Sequence, residues 1–375
     1  MRSVSIVIGQ LALAIAVLSS LFAGTVSLAA PPPEKIVVMV SEPDCIANMP
    51  ARLAQTLGYF KDEGLDVDLK TQPLGASAEA ELTSGAVQAV VGFYDHTIDL
   101  QSKGKSIEAI AVLDQTPGLA MLVSTRAASR FKNMADARGQ ILGVAGLGST
   151  PEFLTRYLTE RAGLSVTDYA LLPMGGNHAF VTAMRQSRIQ AGMTAEPAVS
   201  ELLSSGDARV LVDLRTNQGL LQALGGPYPA VSVYARTAWA DTHRAEAGKL
   251  AHAFARALQY IHTHGAEDIA SKVPSSVYNM DKAHYLQALQ AALPMFTADG
   301  KMPAGGPETV LKVLTAYKPQ VNSGDIDLSK TYTNAFLAAD GTWARSKAGQ
   351  CKLGAKCCPF IATCCESIHS RKSFN

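Results

Sequence analysis

Three stretches of the chain set small and polar residues where backbone N–H groups would be left without partners. Ser41-Glu42-Pro43-Asp44-Cys45 follows an apolar run from Lys35 to Val40, and Gly75-Ala76-Ser77 and Gly148-Ser149-Thr150-Pro151 each open a run of helical character. A helix start carries free donors and the positive end of the helix dipole, which suits an anionic group. Ordinary capping asks for the same residues: Ser149 or Thr150 can serve as N-cap, with Pro151 in the first turn, where its missing N–H does no harm. On the residues alone both readings stay open at each start.

Around these stretches strands and helices alternate, as in α/β folds with largely parallel sheets. The pattern predicts strands over 35–40 and 65–69, the latter after a helix from Met49 to Leu57 and a glycine stop, Gly58. Ala78 to Leu82 reads as helix, Ala89 to Val91 as a short buried strand, and 107–113 and 120–124 as further strands. A second lobe is expected from Arg126, with the strand 141–145 and a helix whose apolar stripe is Phe153, Leu154, Tyr157 and Leu158. The two lobes echo each other: Gly75-Ala76-Ser77, a helix and Val87-Gln88-Ala89 recur as Gly175-Gly176-Asn177, a helix and Ile189-Gln190-Ala191. The chain is expected to return to the first lobe through Val231 to Tyr234, giving crossings near Ser124 and Pro229, and to end in long helices over 244–264 and 282–293. The expected boundaries are 34–125 plus 229–344 for the first lobe and 126–228 for the second.

At 375 residues, 47% hydrophobic and 17% charged, the chain is long enough for two such lobes. The formal charge of +1 conceals a basic tail, in which six Lys/Arg from Arg345 onward face one acid, Glu366. The remainder is mildly acidic, which argues against a nucleic-acid partner. The start has Arg2, an apolar stretch from Val4 to Ala23 and a small-residue exit, Ser27-Leu28-Ala29-Ala30, the layout of a secretory leader (residues 1–30) cut near Ala29 or Ala30. A membrane anchor is the competing reading, but Ser20, Gly24 and Ser27 dilute the run and three prolines follow it. A lipid anchor is not expected, since no cysteine follows closely. Five of the six cysteines lie in the last 25 residues, in a spacing that fits no standard zinc motif. That segment, 345–375, reads as a disordered extension of no assigned function.

Gly58-Tyr59-Phe60 through Asp68, together with Glu196-Pro197 after Ala191-Gly192-Met193-Thr194, resembles one family over roughly Ile36 to Phe336. It is that of the substrate-binding proteins of ABC importers for nitrate, sulfonate, taurine and thiamine-precursor ligands, also called NMT1/THI5-like. The resemblance implies a two-lobed periplasmic binding protein fold of type II, with mixed, mostly parallel sheets flanked by helices and a ligand cleft between the lobes. It implies a monomer in the periplasm that binds a small molecule, delivers it to an ABC permease at the inner membrane, and carries no cofactor, metal or catalytic residue. The family usually has an acid before the alanine of each short strand; Gln88 and Gln190 stand there instead, which suggests a divergent subfamily.

The ligand-binding residues implied by the resemblance are Ser41, Glu42, Asp44, Gly75, Ser77, Phe93, Tyr94, Asp95, Ser149, Thr150, Glu196 and Tyr228. Glu42, Asp95 and Glu196 favour a ligand with an amine or protonated ring nitrogen over a bare oxyanion, so a zwitterion or heterocycle is as plausible as a sulfonate. At least one of these acids is expected to cap a helix or link the lobes instead. Arginine, the usual partner of a planar anion, is missing from these loops, with Arg52 the nearest candidate.

An enzyme on the same scaffold, desulfinase-like or making a thiamine pyrimidine, would need Cys45 or His96 as its reactive group. Cys45 would then require a base or cation beside it, and a small pocket-wall side chain is the simpler role. A secreted ligand sensor would have the same sequence as a transporter component. His262 and His264 are two apart and so diverge around their helix, unlike the one-face pairs of metal sites. Gly143 to Gly148 lacks the lysine of a phosphate-binding loop.

Overall fold

The computed structural model describes residues 35–41, 45–72, 75–275, 282–318 and 320–338. The leader, Glu42, Asp44 and the cysteine-rich tail lie outside the described residues. Ten strands form two five-stranded sheets. The first contains β1 (Lys35–Ser41), β2 (Asp66–Gln72), β3 (Ala89–Phe93), β4 (Ile107–Val112) and β10 (Val231–Arg236), in the order β2-β1-β3-β10-β4. The second contains β5 (Leu119–Ser124), β6 (Ile141–Val144), β7 (Ala170–Pro173), β8 (Ala191–Ala195) and β9 (Ala208–Asp213), in the order β7-β6-β8-β5-β9.

The two orders are the same topology. β1 pairs in parallel with β2 and β3, and β10 runs antiparallel between β3 and β4. In the second sheet β6 pairs in parallel with β7 and β8, and β5 runs antiparallel between β8 and β9. Each antiparallel strand is the one that arrives from the other sheet. β5 directly follows four strands of the first sheet, and β10 follows the five of the second. The first crossing therefore lies at Leu113–Gly118 and not near Ser124, and the second half begins before Arg126. Leu119–Ser124 is buried throughout and apolar up to its last residue, a composition that suits either sheet equally, so its sheet is decided by tertiary packing. The second crossing ends just before Val231.

Buried parallel strands read as unbroken apolar runs, since both faces are covered; β3 and β8 are buried at every residue. Gly58, at φ 77°, ends the helix Met49–Thr56 in the left-handed region that favours glycine. The 20-residue helix Arg244–Thr263 packs Leu250, Phe254, Leu258 and Ile261 inward at helical spacing, with Phe254 edge-on to Phe60 at 5.5 Å.

The two glutamines that depart from the family pattern occupy matching places. Gln88 donates its backbone N–H to Val37 O (2.9 Å), and its side-chain oxygen accepts from Val37 N at 2.8 Å. Gln190 makes the same pair with Ile141, at 3.0 Å in both directions. A carboxamide oxygen thus supplies the acceptor that a carboxylate would, and ties each short strand to its parallel neighbour without a charge.

Candidate functional site

In open α/β sheets ligands lie beyond the carboxyl ends of the strands. Here those ends present Ser41 of β1, Phe93 with Tyr94 and Asp95 after β3, and Glu196 after β8. Asp95 opens the helix Asp95–Ser102 and is fully buried. Its carboxylate accepts from Tyr228 Oη at 2.8 Å and from Thr150 Oγ1 at 3.0 Å. Thr150 begins the helix Thr150–Arg161 of the second half and Tyr228 lies on the returning crossing, so one carboxylate gathers both halves and the connection between them. Burial pushes the Asp95 carboxyl up, against the pull of His96, Tyr228 and Thr150.

Next to it, His96 Nδ1 forms a 2.6 Å ion pair with Glu79 of the helix Gly75–Ser84, and Nε2 lies 3.9 Å from Asp95. Burial disfavours the imidazolium, but Glu79 and Asp95 outweigh it and hold the group at about 9. His96 is therefore a buried cation between two acids. Its ring packs edge-on against Phe153 of the second half at 5.7 Å.

The halves touch again where Ile46 N donates to Glu196 O at 3.3 Å. The Glu196 side chain turns inward to its own half: one oxygen accepts from Ser200 N at 2.9 Å, capping the helix Ala198–Ser204, and the other meets Arg215 Nη1 at 3.0 Å. Arg215, on the loop after β9, is the cation that the sequence did not point to. It also pairs with Asp213 at 2.8 Å.

Of the residues expected at the site, Asp95, Thr150 and Tyr228 form one hydrogen-bonded group. Ser149 caps its own helix, accepting from Glu152 N and bonding Gly146. Phe93 is buried at the end of β3, and the Tyr94 hydroxyl is turned to Thr331, away from Asp95. Ser41 Oγ donates to Val91 O at 3.0 Å, beneath the strand ends. Gly75 starts its helix and Ser77 is exposed on the first turn. Cys45 is buried beside the turn Ile46–Asn48, while both His96 nitrogens face carboxylates. Arg52 sits half-buried on the helix Met49–Thr56.

Glu79, Arg215 and Tyr234 complete the surroundings. The Tyr234 hydroxyl, on β10, is buried with no hydrogen-bond partner among the described residues. Two cavities flank the junction of the halves. One of about 310 Å³ lies between Thr116 of the first crossing, Arg215 and Pro294, and one of about 360 Å³ between Leu147, Phe153 and Tyr317.

Two sheets of this shared topology, exchanging one antiparallel strand each and joined by crossings under a polar junction, make the fold that of the periplasmic binding proteins. A family model described as "NMT1/THI5 like" matches residues 47–268, and the chain belongs to that family. A protein of Bordetella bronchiseptica RB50 with a solved structure is 31% identical, with a TM-score of 0.78 over 82% of this chain and 97% of that one. The alkanesulfonate-binding protein SsuA from Xanthomonas axonopodis pv. citri, bound to MOPS, is 16% identical with a TM-score of 0.61, over 81% of this chain and 99% of its own. The periplasmic nitrate-binding protein NrtA from Synechocystis PCC 6803 is 12% identical with a TM-score of 0.66, over 85% of this chain and 90% of its own. At these identities the last two share the fold. The 4-amino-5-hydroxymethyl-2-methylpyrimidine phosphate synthase THI11 of Saccharomyces cerevisiae is 27% identical over 166 residues, 44% of this chain and 46% of the relative. The match thus spans less than half the length of that curated relative.

Proposed function

We propose that the protein is an extracytoplasmic solute-binding protein. It captures a small organic anion, zwitterion or heterocycle between its two sheets and delivers it to an ABC permease at the inner membrane. The observation that carries this reading is the Asp95 carboxylate of the first half, which draws donors from the second half and from the crossing into one buried group. A molecule that works by closing two halves around a solute needs such a junction, because its polar groups are all satisfied only when the halves meet. The ligand-contacting set is Ser41, Glu42, Asp44, Gly75, Ser77, Phe93, Tyr94, Asp95, Ser149, Thr150, Glu196 and Tyr228, with Asp95, Thr150 and Tyr228 at its centre. The leader layout of residues 1–30 supports a periplasmic location for the mature protein.

A synthase on the same scaffold is the second reading, favoured by the names of the yeast relatives. It would use Cys45 or His96. The position of both His96 nitrogens against Glu79 and Asp95 supports the binding role, since that imidazole is a held cation instead of a free base.

A thermal-shift screen of sulfonates, taurine, nitrate, aromatic acids and thiamine-type pyrimidines tests the proposal. A ligand at one hundred times its dissociation constant adds about 2.7 kcal/mol to stability. A hit recovered unchanged, retained in Cys45→Ala and weakened in Thr150→Val, is the expected outcome. A ligand consumed during the assay, with turnover lost in Cys45→Ala or His96→Gln, would establish the synthase instead.

A further inference from the structure

A separate cavity of about 410 Å³ opens at the other end of the second sheet. Its position is set by strand direction. Ser124, the last residue of antiparallel β5, lines it together with Gln140 and Gln190, which immediately precede parallel β6 and β8. It therefore lies at the amino ends of β6 and β8, whereas the Asp95 junction lies at the carboxyl ends.

Its wall carries two arginines, Arg126 and Arg130, both exposed. Arg126 is held in place: Nη1 donates to Arg185 O and, at 3.1 Å, to Ser187 Oγ. These bonds use one of its nitrogens and leave the rest of its fork available. Arg130 forms no ion pair or side-chain hydrogen bond among the described residues; its one bond is from the backbone, to Ala127 O. Ser187, which orients Arg126, is the one non-glycine residue at positive φ among the described residues, at 59°. That conformation is sparsely populated for serine and persists where the surroundings demand it.

The acids nearby are each engaged through one carboxylate oxygen. Asp136, on the cavity wall, accepts from Lys132 N (2.7 Å) and Asn133 N (3.0 Å). Asp207, close to Arg126, is held by Arg185 and Ser205, at 2.8 and 2.7 Å. Neither acid forms an ion pair with Arg126 or Arg130 among the described residues, although Asp207 feels the charge of Arg126, and the Ser129 hydroxyl offers a further donor on the same wall. Planar forks with hydroxyl donors match the oxygens of a tetrahedral dianion. The volume falls within the range of small-molecule sites, about 300–1,000 Å³, and leaves room for a substituent on that anion.

We infer that this cavity is a binding site for a phosphate ester, with the phosphoryl group between Arg126 and Arg130 and the ester substituent in the remaining space. The site is independent of the solute junction. The ester is either a free small molecule or the headgroup of an anionic lipid.

The full chain is titrated calorimetrically with inorganic phosphate against sodium chloride of equal ionic strength, and is sedimented with vesicles of phosphatidylglycerol in phosphatidylcholine. Phosphate binding is expected to weaken about tenfold in Arg130→Gln, as for loss of a charge-assisted bidentate contact, and to be unchanged in Thr150→Val. Arg130 is exposed and without a side-chain partner, so its replacement leaves folding intact, and Arg126→Gln serves as the second variant. Phosphate binding with no specific pelleting identifies a free ester as the ligand. Vesicle binding that falls in Arg130→Gln, with or without phosphate binding, identifies the lipid headgroup. No binding of either probe above the chloride and phosphatidylcholine controls would overturn the inference, as would equal binding by wild type and both arginine variants.

Discussion

Thr150 donates from Oγ1 to Asp95 Oδ1 at 3.0 Å, and both residues are buried. The first residue of a helix on the second sheet is thereby bonded to the first residue of a helix on the first sheet. Thr150→Val keeps the shape and removes the donor, leaving a buried carboxylate oxygen without that partner. Such a loss costs about 1–3 kcal/mol. Urea unfolding is expected to register it, with Thr150→Ser near wild type. A Thr150→Val midpoint equal to wild type would mean that the bond contributes nothing to holding the halves together.

His96 makes stability depend on pH in the alkaline range. Its ordinary value is 6.5 and the folded protein holds it at about 9, so between these limits the native state carries a proton that the unfolded chain has released. Stability from the Glu79–His96–Asp95 group is therefore full below about pH 6.5 and lost as pH rises through about 9. Denaturation midpoints across that window should fall more steeply for wild type than for His96→Gln. Parallel slopes in the two proteins would remove His96 as the cause.

Much of this junction could be read from the chain before its fold was known, and the parts that could not have a common cause. Asp95 and Thr150 stand directly after a buried strand and at a capped helix start, which local pattern locates. Glu79 sits among Ala-Glu-Ala-Glu in a helix, where it reads as a solvated charge, and only the approach of His96 explains its burial. Arg215 reaches Glu196 from a different loop, a pairing with no local signature. β5 has the composition of any interior strand, so nothing in Leu119–Ser124 says which sheet it joins. Gln88 and Gln190 read as departures from a pattern, whereas their side-chain oxygens perform the same strand-tethering role twice.

Asp114 lies on the first crossing, wholly buried, with neither carboxyl oxygen hydrogen-bonded among the described residues. Burial pushes its carboxyl well above the ordinary 3.8. The folded state thus keeps a proton that the unfolded chain loses from about pH 4 upward, and stability falls as pH rises beyond that point. Asp114→Asn removes the ionisation. Its stability relative to wild type should increase from pH 4 to pH 8. Midpoints compared at those two pH values check this, and a constant difference would assign the pH dependence elsewhere.

Gly92 keeps the floor beneath the junction closely packed. A Cβ built on it would lie 2.9 Å from Tyr234 Oη and 3.1 Å from Ser41 Oγ. Gly92 is in the interior of β3, which is paired on both sides, and the Tyr234 ring is fully buried, so neither backbone nor ring can yield freely. Overpacking of this kind costs about 1–3 kcal/mol. Gly92→Ala should therefore lower the melting temperature. Because the closest contact is the phenolic oxygen, Tyr234→Phe in the same chain should recover part of the loss. That hydroxyl has no hydrogen-bond partner among the described residues, so its removal alone is expected to cost little. If the double variant were no more stable than Gly92→Ala, the strain would lie in the strand and not at the hydroxyl. The coupling between positions 92 and 234 therefore measures how tightly β10 and β3, the strand that arrives and the strand that receives it, are pressed together under the site.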